Sequence, residues 1–356
     1  TLNIQKSAIE HGLILKDASG YNIVFKHYRP LFIDTLSFEK YDPIKPWDAY
    51  RQFCEHFLAP LLLASYHGQG MIQALRTYPE GIPLSLCSSL LPLRSGFNML
   101  SALHIHFQSR VGSKKNQGKE ILFTKEKLVR LIDHLHGGIK SLRLKSEPSA
   151  WGDYYQQTIL QDGYLPAKEK LVPLMLANIP FQSVLDVGSN TGQFALMLAQ
   201  MGKTVVAIDS DPVCIERLYI HTRENKKQLS TFVTDILNPG PAQGWDLKER
   251  SSFHERFSAD LILALALIHH LCISRNLSLE LLADGFSKLG EYLLIEFVPA
   301  EDEKAAQLMF GREGQFTAYN ETNFREIFGH YFEILNESPV GNSKRTLFIM
   351  KSRSGR

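Results

Sequence analysis

Between Ser183 and Gly202 the chain reads SVLDVGSNTGQFALMLAQMG. An apolar run stops at an acid, passes two glycines and resumes with apolar residues at helical spacing. A short buried strand that turns into a helix gives this pattern, because the turn needs positive φ where a side chain would clash. Gly188 and Gly192 thus constrain the chain strongly. They place a sharp strand-to-helix turn there and leave its backbone open to a ligand.

The surrounding pattern extends the constraint. From residue 167 the spacing predicts a helix over 167–178, a strand over 183–187, a helix over 191–201 and a strand over 204–208. A helix over 212–226 follows, then strands over 230–234 and 260–266, a helix over 278–288, a strand over 291–297 and a helix over 321–329. Strands alternating with helices imply a parallel sheet with right-handed crossovers. The last two extended runs flank PVGNSK and read as an antiparallel hairpin at the edge of that sheet. The fold class is therefore α/β, a doubly wound, mainly parallel, Rossmann-like sheet with a C-terminal antiparallel hairpin. An N-terminal α+β accessory domain precedes it, with the boundary at residue 148.

A doubly wound sheet binds ligands at the carboxyl ends of its strands. Three acids fall at three successive strand ends: Asp186, Asp209 in VVAIDSD and Asp235 in FVTDI. Asp186, two residues before the first glycine, disfavours a phosphate and suits a cation. A carboxylate at Asp209 is placed to accept both hydroxyls of a ribose, and one at Asp235 to accept from an adenine amino group. A positively charged nucleoside satisfies all three, and S-adenosylmethionine is such a molecule. The dinucleotide alternative wants G-x-G-x-x-G, whereas the spacing here is G-x-x-x-G with Asn190 in the middle.

In this ordered set, residues 165–352 resemble a class I S-adenosylmethionine-dependent methyltransferase. LDVGSNTG is similar to that family's D-x-G-x-G-x-G, with Asn190 in place of the middle glycine, and ADLILALALIHHL resembles its fourth strand and the loop beyond. The resemblance implies a cofactor-binding set of Asp186, Gly188, Ser189, Asn190, Gly192, Asp209, Ser210, Asp235, Ile236 and Ala264. It also implies that aromatics in the preceding AWGDYYQQ (Trp151, Tyr154, Tyr155) lid the cofactor; domain-interface packing explains them equally well.

Family members that methylate exocyclic amines or amides often carry Asn/Asp-Pro-Pro-Tyr after the fourth strand. Here ALALIHHLCIS has no proline, which disfavours that class. Small-molecule methyltransferases often have Glu-His there, and this chain has His269-His270. A neutral imidazole takes a proton from a hydroxyl or thiol near neutral pH. His270 matches the family's histidine and is the leading catalytic candidate, with His269 the second; packing is the competing role for both. The expected function is methyl transfer to an unidentified acceptor, with O-methylation of a small molecule leading. An RNA or protein methyltransferase and a non-catalytic S-adenosylmethionine-binding scaffold are the alternatives.

The N-terminal region reads as β-structure and turns over 1–45, then a helix over 47–66 with a kink at Pro60, another over 97–109, and one that Thr124 caps. Asp17, Asn22 and Asp34 resemble the catalytic loop and metal-site spacing of aminoglycoside-phosphotransferase-like kinases. In that family the first Asp is the base, and the Asn and later Asp hold magnesium. His11-Gly12 lies too far upstream of Asp17 for that pattern, and only 16 residues precede Asp17, so a glycine-rich loop and a β3-type lysine are missing. The resemblance therefore implies a degenerate fragment without phosphotransfer activity; hairpin turn chemistry is the other explanation. The domain's expected role is substrate selection.

Residues 110–145 hold ten Lys/Arg against three Asp/Glu, a strip that suits RNA or an acidic protein; Phe123 is its one aromatic, which weakens base stacking. A solvated helix and linker is the plainer reading. The whole chain carries a net charge of only +2, so it is no polycation. Four isolated cysteines offer no zinc spacing and suit a reducing compartment, and no apolar run is long enough to span a bilayer. A cytoplasmic protein without a metal or membrane partner is expected.

Overall fold

The computed structural model describes residues 1–110, 123–145, 163–312 and 314–354. The chain divides into two compact units, Thr1–Pro148 and Ser149–Arg356.

The first unit begins with a helix, Leu2–Glu10, where the sequence led to strands and turns. Its buried face includes Gln5 beside Leu2, Ala8 and Ile9, and this polar residue interrupts the apolar stripe that would have revealed the helix. Gln5 is buried because its Oε1 accepts the Leu15 N–H at 2.8 Å. The strands of this unit are short: β1 (Leu13–Leu15) pairs with β4 (Phe38–Lys40), and β2 (Ile23–Lys26) with β3 (Arg29–Phe32), all antiparallel. Pro60 falls inside a helical run that continues from Tyr50 to His67, and the irregularity expected of a proline there takes the form of a π-helical segment, Cys54–Leu58, directly before Ala59–His67. Thr124 caps Lys125–Ser141 by accepting the Lys127 N–H. Phe53, Leu58, Leu62, Ile105, Leu128 and Ile132 share one core.

The side chains of the kinase resemblance are engaged in local turns. Asp17 Oδ1 accepts the Ser19 N–H at 2.9 Å, Asn22 donates to Ser37 Oγ at 2.9 Å, and Ser37 donates to Asp34 Oδ2 at 2.6 Å.

The second unit is a seven-stranded sheet in the order β10-β11-β9-β8-β5-β6-β7. The strands are β5 (Ser183–Val187), β6 (Thr204–Asp209), β7 (Leu229–Val233), β8 (Ala259–Ala264), β9 (Gly290–Phe297), β10 (Phe332–Pro339) and β11 (Thr346–Ser352). β5 to β9 run parallel, while β11 inserts antiparallel between β9 and β10. The central strands β5, β8, β9 and β11 are buried on both faces, so their side chains alternate between two cores. Leu185, Ile262 and Leu293 pack on one face; Val184, Leu261, Leu263 and Leu294 pack on the other. From β5 the chain winds outward through β6 and β7, then restarts on the other side with β8 and β9. The crevice at this reversal, outside the carboxyl ends of β5 and β8, is where such a sheet binds its ligand. A helix over Glu303–Met309, capped by Asp302, was not legible in the sequence.

Candidate functional site

The turn after β5 is left-handed three times, at Gly188 (φ 73°), Asn190 (φ 52°) and Gly192 (φ 85°). Asparagine tolerates this region better than most side chains, which explains how Asn190 stands where the resembling family has glycine. A Cβ on Gly192 would lie 2.3 Å from Leu218 Cδ1, so the turn must pass this close to the helix behind it. The Asp209 carboxylate holds the turn against the end of β6. Its Oδ2 accepts the Asn190 N–H at 2.8 Å and its Oδ1 accepts the Asp211 N–H at 2.9 Å.

Beyond this turn opens a cavity of about 230 Å³. Gly188, Asn190, Asp209, Ser210, Asp235, Ile236 and His270 line it, all sequence candidates. Five other candidates stay outside the lining. Asp186 is 3% exposed and sits behind the turn. Burial, and next the charge of Asp209, push its carboxyl up to about 7, with Lys168 and the Ala195 N–H opposing. Ser189 is buried with a hydroxyl that has no partner, and Gly192 forms the underside of the turn. Ala264 ends inside the sheet, one residue before the lining begins at Leu265. His269 is fully buried beside the His270 ring, 4.0 Å between centroids, and neither of its nitrogens has a hydrogen-bond partner. The loop gives it no access to the cavity, which displaces it from the catalytic role the sequence allowed.

His270 does face the cavity. Burial, helped by the positive charges of Arg345 and Lys304, pushes its imidazole down to about 4. The sequence suggested titration near neutrality; the apolar setting of Leu267 and Leu271 moves it well below.

The sequence reading missed Val187, Thr234, Leu237, Leu265, Ala266, Leu267, Leu271, Ser274 and Arg275, which complete the lining. The strand-end rule, applied one residue further along, would have found Leu265. Ala266 gave no signal, because alanine does not advertise the left-handed backbone it adopts here (φ 53°). Trp151, Tyr154, Tyr155 and the lysines between 111 and 122 lie outside the described residues. Among the described residues no group of three or more His, Cys, Asp or Glu is placed to hold a metal ion, and no helix is long and apolar enough to cross a membrane.

A glycine turn open to the cavity and acids at the ends of β6 and β7 fit an adenosine-bearing cation. Residues 157–328 match the model of a methyltransferase domain family. The chain belongs to the class I S-adenosylmethionine-dependent methyltransferases, and S-adenosylmethionine is its cofactor. The nodulation protein NoeA of Rhizobium meliloti (strain 1021) is 30% identical over 98% of this chain and 76% of its own length. Two solved structures overlap part of the chain. The PH0226 protein of Pyrococcus horikoshii OT3 covers 56% of this chain and 99% of its own, at 16% identity and a TM-score of 0.42. The N-methyltransferase NodS of Bradyrhizobium japonicum WM9 covers 54% and 98%, at 18% identity and a TM-score of 0.40.

Asp209 carries the first prediction. Asp209→Ala is expected to weaken S-adenosylmethionine by about 1.5–3 kcal/mol, the range of a hydrogen bond to a charged group. Titration calorimetry measures it directly, and an affinity within twofold of wild type would remove Asp209 from the site.

Proposed function

We propose that the chain methylates a hydroxyl of a small molecule, with His270 as general base and with the Thr1–Pro148 unit selecting the substrate. One observation carries this reading: His270 is the one imidazole among the described residues lining the cleft. The bound cofactor supplies an electrophilic methyl carbon on a sulfonium. Asp209 and Asp235 hold the nucleoside, and the Gly188–Gly192 turn lets it approach the backbone. Leu265, Leu267 and Leu271 exclude water from the part of the cleft around His270. A neutral imidazole nitrogen accepts the hydroxyl proton as the oxygen attacks, then releases it to solvent. In-line alignment supplies the rest of the rate.

The test is to incubate the protein and cellular extract with methyl-labelled S-adenosylmethionine and fractionate the products. Label in the small-molecule fraction is expected, stable to treatments that cleave methyl esters. Label in RNA or protein would transfer the reading to those acceptors. Tight cofactor binding without label in any fraction would make the chain a scaffold.

A further inference from the structure

The cofactor cleft has two facing walls from distant parts of the sheet. One is the segment after β7, with Thr234, Asp235, Ile236 and Leu237; the other is the segment after β8, running from Leu265 to Arg275. In the sheet, β8 and β7 are three places apart, with β5 and β6 between them. At ordinary strand spacing that is about 14 Å. An ion pair bridges the walls: Arg275 Nη2 lies 3.3 Å from Asp235 Oδ2.

The second wall is built to hold Arg275 in place. It starts on a left-handed alanine, Ala266 (φ 53°), and turns through a π-helical segment, His270–Ser274. It ends on a left-handed asparagine, Asn276 (φ 57°). The Arg275 N–H donates to the His270 carbonyl at 3.2 Å and the Leu277 N–H to the Leu271 carbonyl at 3.0 Å, fixing the backbone on both sides. Non-glycine residues in the left-handed region cost energy and persist where surrounding structure over-determines them, as π segments do at functional sites. On the other wall Asp235 Oδ1 accepts the Leu237 N–H at 2.9 Å, which aims the carboxylate. Each of its oxygens keeps a second lone pair, so Asp235 can accept from an adenine amino group while Arg275 stays in contact.

We propose that Arg275 is a positioning residue for the cofactor: its ion pair with Asp235 latches the two walls over the adenosine end, and opening of that latch governs how fast the spent cofactor leaves. This rests on the assignment of S-adenosylmethionine to this cleft with Asp235 on its adenine side. The Arg275 side chain is 57% exposed and that of Asp235 31%, so the pair is screened by salt and opens readily. A cleft that must release a product as large as the cofactor after every turnover needs a closure of this modest strength.

Stopped-flow release of S-adenosylhomocysteine from the full chain tests the latch. Wild type is expected to release it faster as salt rises from 50 mM to 500 mM. Arg275→Ala is expected to release it about fivefold faster at low salt, with most of the salt dependence gone and the thermal midpoint unchanged. Arg275→Lys should fall between, because it keeps the charge and loses the fork. An Arg275→Ala protein whose release rate and salt dependence match wild type would overturn the latch, and so would slower release, which would make Arg275 an obstruction. Wild type that fails to bind S-adenosylhomocysteine at all would overturn the cofactor placement along with it.

Discussion

His270→Ala is expected to fold, to bind S-adenosylmethionine with unchanged affinity, and to turn over ~10²–10⁴-fold more slowly, the usual contribution of a general base. The residue lines the cleft from the segment after β8 and belongs neither to the glycine turn nor to the end of β6, so cofactor affinity and turnover should separate. The pH profile gives a second check. Because its pKa is pushed down to about 4, His270 stays neutral at every pH above about 5. Wild-type kcat should therefore show no His270 limb between pH 6 and 8 and should fall only as pH drops toward 4. The same depression has a stability consequence. The unfolded imidazole binds its proton near pH 6.5 and the folded one does not until about 4, so stability declines as pH falls through that window. His270→Ala should remove this part of the acid sensitivity. A stable His270→Ala protein with near-normal turnover would leave alignment of the acceptor as the whole mechanism.

The second large effect lies beside the cleft. At the carboxyl end of β9, Glu296 is fully buried and takes hydrogen bonds from the Tyr164 hydroxyl and the Lys168 ammonium, both from the helix Tyr164–Leu176. Arg345, also fully buried, donates to the Tyr164 oxygen at 3.0 Å and pairs with both oxygens of Asp302 at 2.8 and 3.0 Å. Burial alone would push the Glu296 carboxyl up; Lys168 and Arg345 outweigh it and hold the group below the usual carboxylate range. Glu296→Ala strands a buried ammonium, and the expected cost is about 3–5 kcal/mol, the price of breaking such a pair from one side. In a unit of this size that lowers the melting temperature by roughly 6–20 °C. Replacing both partners, Glu296→Leu with Lys168→Met, should recover most of the loss, because no charge is then left without a partner. A Glu296→Ala protein that melts within a degree of wild type would show that the network contributes nothing to stability.

Local patterns made the sheet legible. The cores of β5 and β6 are runs of apolar residues; Asp209 lies where the β6 run stops, and Asp235 two residues past the end of β7. The glycine turn was legible because only a few residue types tolerate its backbone. Features built from distant residues were not. Glu296 and Lys168 are 128 positions apart, Arg275 and Asp235 40, and no spacing rule connects them. The helix Leu2–Glu10 escaped because its buried Gln5 looks like a surface residue until its partner, the Leu15 N–H, is known. His270 ranked above His269 in the sequence through its match to the resembling family's histidine alone, since both are imidazoles on the same short run. Only the loop's course after Ala266 turns one toward the cleft and seals the other in.

The insertion of β11 between β9 and β10 bears on how the molecule is made. A chain synthesised from its amino terminus presents β5 to β9 first, and β9 then waits with one edge unpaired. The strand that must occupy that edge is Thr346–Ser352, which emerges after all the others. Pairing across so long a sequence separation is slow, and an open apolar edge invites pairing with a neighbouring chain in the interval. Arg345 sits immediately before β11, so the charges of Lys168, Glu296 and Asp302 gain their last partner only when that strand docks. Completion of this unit thus waits on its last strand, and chains shortened within that strand should accumulate as aggregates rather than as weaker enzymes.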